Sequence, residues 1–177
     1  MEIIKQKVKA ENMAMRDYLT NLYNRRAFFQ LAEERCKKAK CKGFNLVLVM
    51  ADIDKFKNIN DNYGHDIGDL VLKNFAQILK TSVRENDLVA RFGGEEFIIL
   101  LKDINLEDAY NRIEKLREMI SETEIKVSDE KIKYTASFGI SKVNCCDYKS
   151  LEEAIKIADK ALYRAKENGR NRVEIIN

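Results

Sequence analysis

The segment FNLVLVMADID, Phe44 to Asp54, is apolar over most of its length and then ends in two aspartates. A short apolar run cut off by acids reads as a buried strand that surfaces at a polar site. RFGGEEFIILL, Arg91 to Leu101, has the mirror arrangement, with two glycines and two glutamates leading into an apolar run. DLVARF and EFIILL bracket Gly93-Gly94, and the pair predicts a two-residue hairpin because glycine adopts positive φ without steric penalty. If the two runs pair, Asp52, Asp54, Glu95 and Glu96 converge at one edge of a sheet.

Helical spacing surrounds these strands. DYLTNLYNRR forms a turn, and a helix follows from about Arg25 to Lys40, with Phe28, Leu31, Ala32 and Cys36 (or Arg35) sharing a face. A short helical or irregular piece reaches Tyr63, and a longer helix runs from Asp66 to Ser82, burying Ile67, Val71, Phe75, Ile78 and Leu79. Leu106, Ala109, Ile113, Leu116 and Ile120 recur at helical spacing, so 105–121 is a helix. KIKYTASFGISKV alternates, with Ile132, Tyr134, Ala136, Phe138 and Ile140 on one face, which predicts a half-exposed antiparallel strand. Ser150 followed by Glu153 makes a capping box for a last helix that Gly169 ends, and RVEII closes as a strand. The order predicts an α/β fold of the α+β kind, an antiparallel-rich sheet covered by helices.

Residues 1–16 stand apart from the domain expected over 17–177. Ile4, Val8 and Met15 fall on a loose heptad seam with Met1 and Tyr18, interrupted by Glu11. That pattern reads either as a frayed amphipathic leader or as the end of a dimerising stalk.

Composition narrows the chemistry. A chain of 177 residues suits one domain with a full core. No apolar run approaches the ~18–20 residues of a membrane span, and MEIIKQKVKAENM lacks the pattern of a secretory signal. The net charge of +3, with its basic residues dispersed, does not mark a nucleic-acid partner. Cys36, Cys41, Cys145 and Cys146 lack zinc-ligand spacing and read as reduced cytosolic thiols. The single histidine, His65, sits in NYGHDIGD with no obvious nucleophile nearby, which leaves no serine or cysteine triad.

Carboxylates remain. Several acids at the end of a buried strand are costly unless they are neutralised or hold a cation. A site of oxygens alone suits Mg²⁺ or Mn²⁺ rather than zinc. Such a cation fills its remaining positions with water and substrate phosphates, so phosphoryl transfer on a nucleotide is the chemistry to expect. A hairpin whose acids merely face solvent is the alternative that these residues leave open.

GGEEF, Gly93 to Phe97, resembles the signature of GGDEF domains, the diguanylate cyclases that make cyclic di-GMP from two GTP. The likeness extends from Asp17 to the end. DYLTNLYNRRAF resembles the family's opening segment, and DIDKFKNINDNYGHDIGD its longest motif. TASFGIS resembles its hairpin strand, and ADKALYRAKENGRNRV its terminal helix and strand. The implied fold is that of the nucleotidyl cyclase catalytic domain, a mostly antiparallel five-stranded sheet flanked by helices.

The resemblance also implies roles. Asp52, Glu95 and the Ile53 carbonyl would ligate Mg²⁺ or Mn²⁺, while Gly93 and Gly94 let a triphosphate approach the backbone. Phe56 would line the substrate site. Asn60 and Asp69 would read the guanine edge, Asp69 in a pattern that adenine cannot match, which implies GTP as substrate. Lys166 and Arg170 would grip the terminal phosphates, although cations near a helix C-terminus are favoured by the dipole in any case. Lys57 would stabilise transition-state charge, and Glu95 or Glu96 would be the general base for the ribose 3′-hydroxyl.

The product needs two GTP and each domain offers one site, so a two-fold homodimer is implied, its meeting governed by the leader and by a possible upstream sensor domain. Arg84 and Asp87, just upstream of the signature, resemble the family's inhibitory site for the product. Asn21 stands where the family more often has glycine, and asparagine tolerates left-handed backbone. A catalytically silent cyclic di-GMP receptor and a mixed-dinucleotide cyclase are the competing functions. The expected setting is a bacterial cytoplasmic signalling domain, working alone or within a larger sensor.

Overall fold

β1 (Leu46–Ile53) is the strand that the run at Phe44 predicts, and it is buried throughout. The computed structural model describes residues 15–144 and 148–176. Most of the heptad seam expected over the leader, and the Cys145–Cys146 pair, lie outside the described residues.

The sheet has five strands in the order β2-β3-β1-β6-β7, where β2 is Leu88–Arg91, β3 Glu96–Lys102, β6 Ala136–Val143 and β7 Val173–Ile175. β1 runs antiparallel to β3 and β6, β2 antiparallel to β3, and β7 joins β6 in parallel. The expected mostly antiparallel sheet is present.

Alternation along β1 divides the core. Val47, Val49, Ala51 and Ile53 pack with α3 (His65–Ser82) and α4 (Leu106–Glu122). Leu46, Leu48 and Met50 pack with α1 (Arg25–Lys42) and α5 (Tyr148–Glu167). Helices on both faces explain why the strand has no polar side. Between β1 and α3 lies the short helix α2 (Phe56–Tyr63). Among the described residues no helix is long and apolar enough to cross a membrane.

Three expectations need correction. The β2–β3 connection is not a two-residue turn: it spans 92–95, and the N–H groups of Phe92 and Gly93 both donate to the Glu96 carbonyl, at 2.7 and 3.2 Å. Neither Gly93 nor Gly94 adopts positive φ.

KIKYTASFGISKV is not one half-exposed strand. Its first part is β5 (Glu130–Lys133), which pairs with β4 (Glu124–Val127) in a separate hairpin. Its second part, β6, is buried on both sides because α5 lies directly on the small residues of the alternate face. A Cβ on Gly139 would overlap the Ala158 carbonyl and the Leu162 amide, so only glycine allows this approach.

Finally, α5 starts at Tyr148, which puts Ser150 inside the first turn rather than at a cap. Asn21 does take the left-handed conformation expected of it, at φ 57°.

Candidate active site

Strand register brings the acids together. Asp52 lies opposite Glu96 on β3 and opposite Ser137 on β6, and the Ile53 N–H donates to the Glu95 carbonyl at 3.4 Å. Asp52 is buried, and Lys166 Nζ reaches its Oδ2 at 2.8 Å. Burial pushes the Asp52 carboxyl up to about 6; Lys166 opposes the rise through its hydrogen bond and charge, while Glu95 and Glu96 add to it.

Among the described residues no three metal-capable side chains are drawn into one cluster. The donor set fits a hard cation that takes one or two carboxylates and completes its shell elsewhere. A buried carboxylate with two further acids close by, and no soft ligand, is suited to Mg²⁺ or Mn²⁺. Asp52, Glu95 and the Ile53 carbonyl are the oxygens available to hold it.

The glycines of the 92–95 loop do two different things. A Cβ on Gly93 would fall 2.7 Å from Glu96 Oε2, so this glycine leaves room for the glutamate to fold back. Around Gly94 there is open space, as a ligand approaching the backbone requires. Its carbonyl is held by Arg91, whose Nε and Nη2 donate at 3.0 and 2.7 Å.

α2 and α3 build the neighbouring wall. Gly64, at φ 87°, ends α2 and starts α3, which turns the chain sharply between them. The exposed His65 is the first residue of α3. A Cβ on Gly68 would overlap Asn60 Oδ1, so the Asn60 amide rests on a helix surface cleared for it, one residue from the exposed Asp69. Phe56 is buried in the core, which leaves its backbone as the part able to meet a ligand, and Lys57 is exposed on α2.

Asp54 turns away from the other acids. Its Oδ1 accepts from Ser137 Oγ at 2.6 Å, and its Oδ2 accepts from Thr135 Oγ1 at 2.7 Å and the Asn171 N–H at 3.0 Å. The carboxylate thereby ties the end of β1 to β6 and to the turn after α5. In that turn Arg170 and Asn171 are both left-handed, at φ 64° and 45°, as is Lys55 at φ 53°. All three line one cleft of about 480 Å³, and backbone strain of this kind persists only where surrounding bonds enforce it.

Arg84 and Asp87 are close but unlike. Arg84 is exposed and lines a cleft of about 700 Å³ with Asn45, Asn105, Asn111, Arg112 and Lys115. The Asp87 side chain is only 1% exposed. It accepts from the N–H groups of Arg84 and Lys102, each at 2.9 Å, and pairs with Arg112 at 2.9 Å. Its carboxylate faces the protein and shapes the turn that presents Arg84.

Sequence reasoning missed Gly68, Arg91, Asp54 as a tie, and the Arg112–Lys115 side of the larger cleft. Gly68 had a signal, because an isolated glycine in a helical pattern has a packing or functional reason. Arg112 and Lys115 look like ordinary exposed helix residues, and only tertiary structure brings them to Arg84.

A family model described as "Diguanylate cyclase, GGDEF domain" matches residues 14–172. Diguanylate cyclase A of Treponema denticola is 41% identical over 166 residues, 92% of this chain and 44% of that protein. Response regulator PleD of Caulobacter vibrioides is 39% identical over 163 residues, 91% of this chain and 36% of that one. The chain thus spans less than half the length of these curated relatives. Among solved structures, the coiled coil and GGDEF domain of DgcB from Caulobacter crescentus, in complex with c-di-GMP, matches with a TM-score of 0.91 at 28% identity. That match covers 99% of this chain and 92% of the other.

Proposed function

The chain belongs to the GGDEF domain family, and on that premise we propose that residues 17–177 act as a diguanylate cyclase, condensing two GTP into cyclic di-GMP and two pyrophosphates. The observation that carries this reading is the meeting of Asp52, Glu95, Glu96 and Lys166 at the end of β1. Acids able to hold a cation and a base stand there beside an ammonium able to meet phosphate.

In this reading Asn60 and Asp69 orient the guanine, and Lys166 and Arg170 hold the terminal phosphates. Gly94 gives the phosphates access to the backbone, with Phe56 contributing main chain. Glu95 or Glu96 accepts the proton of the ribose 3′-hydroxyl, whose oxygen then attacks the α-phosphorus of the other nucleotide as pyrophosphate leaves. Lys57 counters charge that builds in that displacement. Asp52, Glu95 and the Ile53 carbonyl would hold Mg²⁺ or Mn²⁺, which would neutralise phosphate charge and polarise the reacting phosphorus.

Two attacks require two domains with sites apposed across a two-fold axis. A stalk ending in residues 1–16 would govern this meeting, and the solved DgcB structure carries a coiled coil beside its GGDEF domain. The Arg84 cleft supports feedback by the product, with Arg84, Arg112 and Lys115 as its cationic lining. A GTP-consuming reaction of this kind favours the cytoplasm as the place where the domain works.

The test is to strip the protein of nucleotide, incubate it with Mg²⁺ and GTP, with and without ATP, and separate the products. Cyclic di-GMP alone is expected, and Glu95→Gln should abolish it while the melting temperature stays nearly unchanged. A mixed dinucleotide would remove the guanine role of Asp69. Binding of cyclic di-GMP by the parent, with no turnover in either the parent or Arg84→Ala, would make the domain a receptor.

A further inference from the structure

Lys166 stands where a cation is needed. Its Nζ lies 2.8 Å from Asp52 Oδ2, with the lysine side chain 33% exposed and the aspartate side chain 7% exposed. Among the described residues Glu95 and Glu96 enter no ion pair, so this ammonium is the positive charge in contact with the acidic group.

The backbone that carries it is firmly seated. α5 lies against Gly139, and the turn after it is tied to Asp54. The side chain, by contrast, has a flexible four-carbon stem and can swing.

A divalent cation ligated by Asp52 would lie about 2.0–2.1 Å from a carboxylate oxygen. That puts it within a few ångströms of an ammonium hydrogen-bonded to the same group, and like charges repel strongly at such range in a partly dehydrated site. The two cations exclude each other.

We propose that Lys166 is the resident counter-ion of the cation site. Its ammonium holds Asp52 while the metal is absent, is displaced as a divalent cation enters, and only then is free to meet the nucleotide's phosphates. The inference rests on the reading of Asp52 as a metal ligand. It has a consequence for the order of binding. Without nucleotide, an entering cation expels the ammonium with no anion to receive it, so the protein holds divalent metal weakly. With nucleotide present, the phosphates receive the ammonium, and cation and triphosphate enter together.

The test reads metal affinity, not turnover. Mn²⁺ is titrated into the nucleotide-free full chain, and the unbound ion is followed by its electron paramagnetic resonance signal. Lys166→Met, with Lys166→Gln as a second variant, is expected to bind Mn²⁺ about tenfold more tightly than the parent, a difference of about 1.4 kcal/mol. Arg170→Met removes a neighbouring charge that does not touch Asp52, and its affinity should stay within about twofold of the parent.

An unchanged or weakened affinity in both Lys166 variants overturns the proposal. An equal gain in Arg170→Met also overturns it, since a diffuse field would then account for the effect. Because no product is measured, failure of the parent to make cyclic di-GMP would sink the cyclase reading without deciding this one.

Discussion

Asp17 holds Arg91 beside the candidate active site, with Nη1 3.2 Å from Oδ1 and 3.3 Å from Oδ2, although 74 positions separate them in sequence. The same guanidinium grips the Gly94 carbonyl. One side chain thus connects the turn before α1 to the loop that carries the signature glycines. Arg91→Ala should lower the rate of cyclic di-GMP formation at saturating GTP about tenfold, since small misplacements of reacting groups are costly. Arg91→Lys should not restore it, because an ammonium cannot fork between a carboxylate and a carbonyl. Full activity in Arg91→Ala would show that the loop keeps its shape unaided.

The same contact gives a pH dependence. Burial works to raise the Asp17 carboxyl, but the Thr20 hydroxyl and amide, and then Arg91, outweigh it and hold the group below the ordinary aspartate range. A folded pKa below the unfolded one gives stability that is present above the unfolded value of ~3.9 and lost as pH falls through the folded value. Asp17→Asn should therefore melt a few degrees below the parent near ~pH 7, and the gap should narrow progressively as pH falls below ~4. A gap of constant size across that range would rule out the ionised carboxylate as its source.

Gly68→Ala tests the wall proposed to receive guanine. The new methyl would meet the free end of the Asn60 side chain, which can swing away, so the fold should survive. We expect KM for GTP to rise about tenfold with kcat changed far less, the pattern of a lost binding contact. An unaltered KM would take Asn60 out of substrate recognition.

Arg84 and Asp87 should separate cleanly. Asp87→Ala leaves two part-buried N–H groups without their acceptor and Arg112 with only the Ser82 carbonyl, at a cost of about 3 kcal/mol, visible as a lower melting temperature. Arg84→Ala, exposed, should melt like the parent while relieving inhibition by added cyclic di-GMP. Equal melting of the two variants would refute the architectural role given to Asp87.

Gly139→Ala tests how closely α5 lies on the sheet. The obstacle there is helix backbone rather than a side-chain tip, so the overlap cannot be relieved locally. A loss of about 3 kcal/mol, or roughly 6–12 °C, is expected in a thermal melt. A variant as stable as the parent would show that α5 can lift.

Much of this was legible in the sequence for a physical reason. β1 and β3 are continuous apolar runs, and their acids fall at the ends that pair, so two segments suffice to place Asp52 opposite Glu96. Sequence alone groups Asp54 with those acids, because adjacency says nothing about which hydrogen-bond donors surround a side chain. Its donors come from Thr135, Ser137 and Asn171, all distant along the chain. The β4–β5 hairpin was missed because its short strands show little apolar alternation. In sequence β6 reads as half-exposed because Ser137, Gly139 and Ser141 look like a polar face, whereas their small size is what admits a helix.

The sheet is bounded by β2 and β7, its two shortest strands, of four and three residues. Edges this brief offer little main chain for another strand to add to. Two copies meeting as the proposed reaction requires would therefore have no ready route to a continuous intermolecular sheet through these edges. Their encounter would be left to side chains and to the nucleotides between them, a contact that could be undone when the product departs.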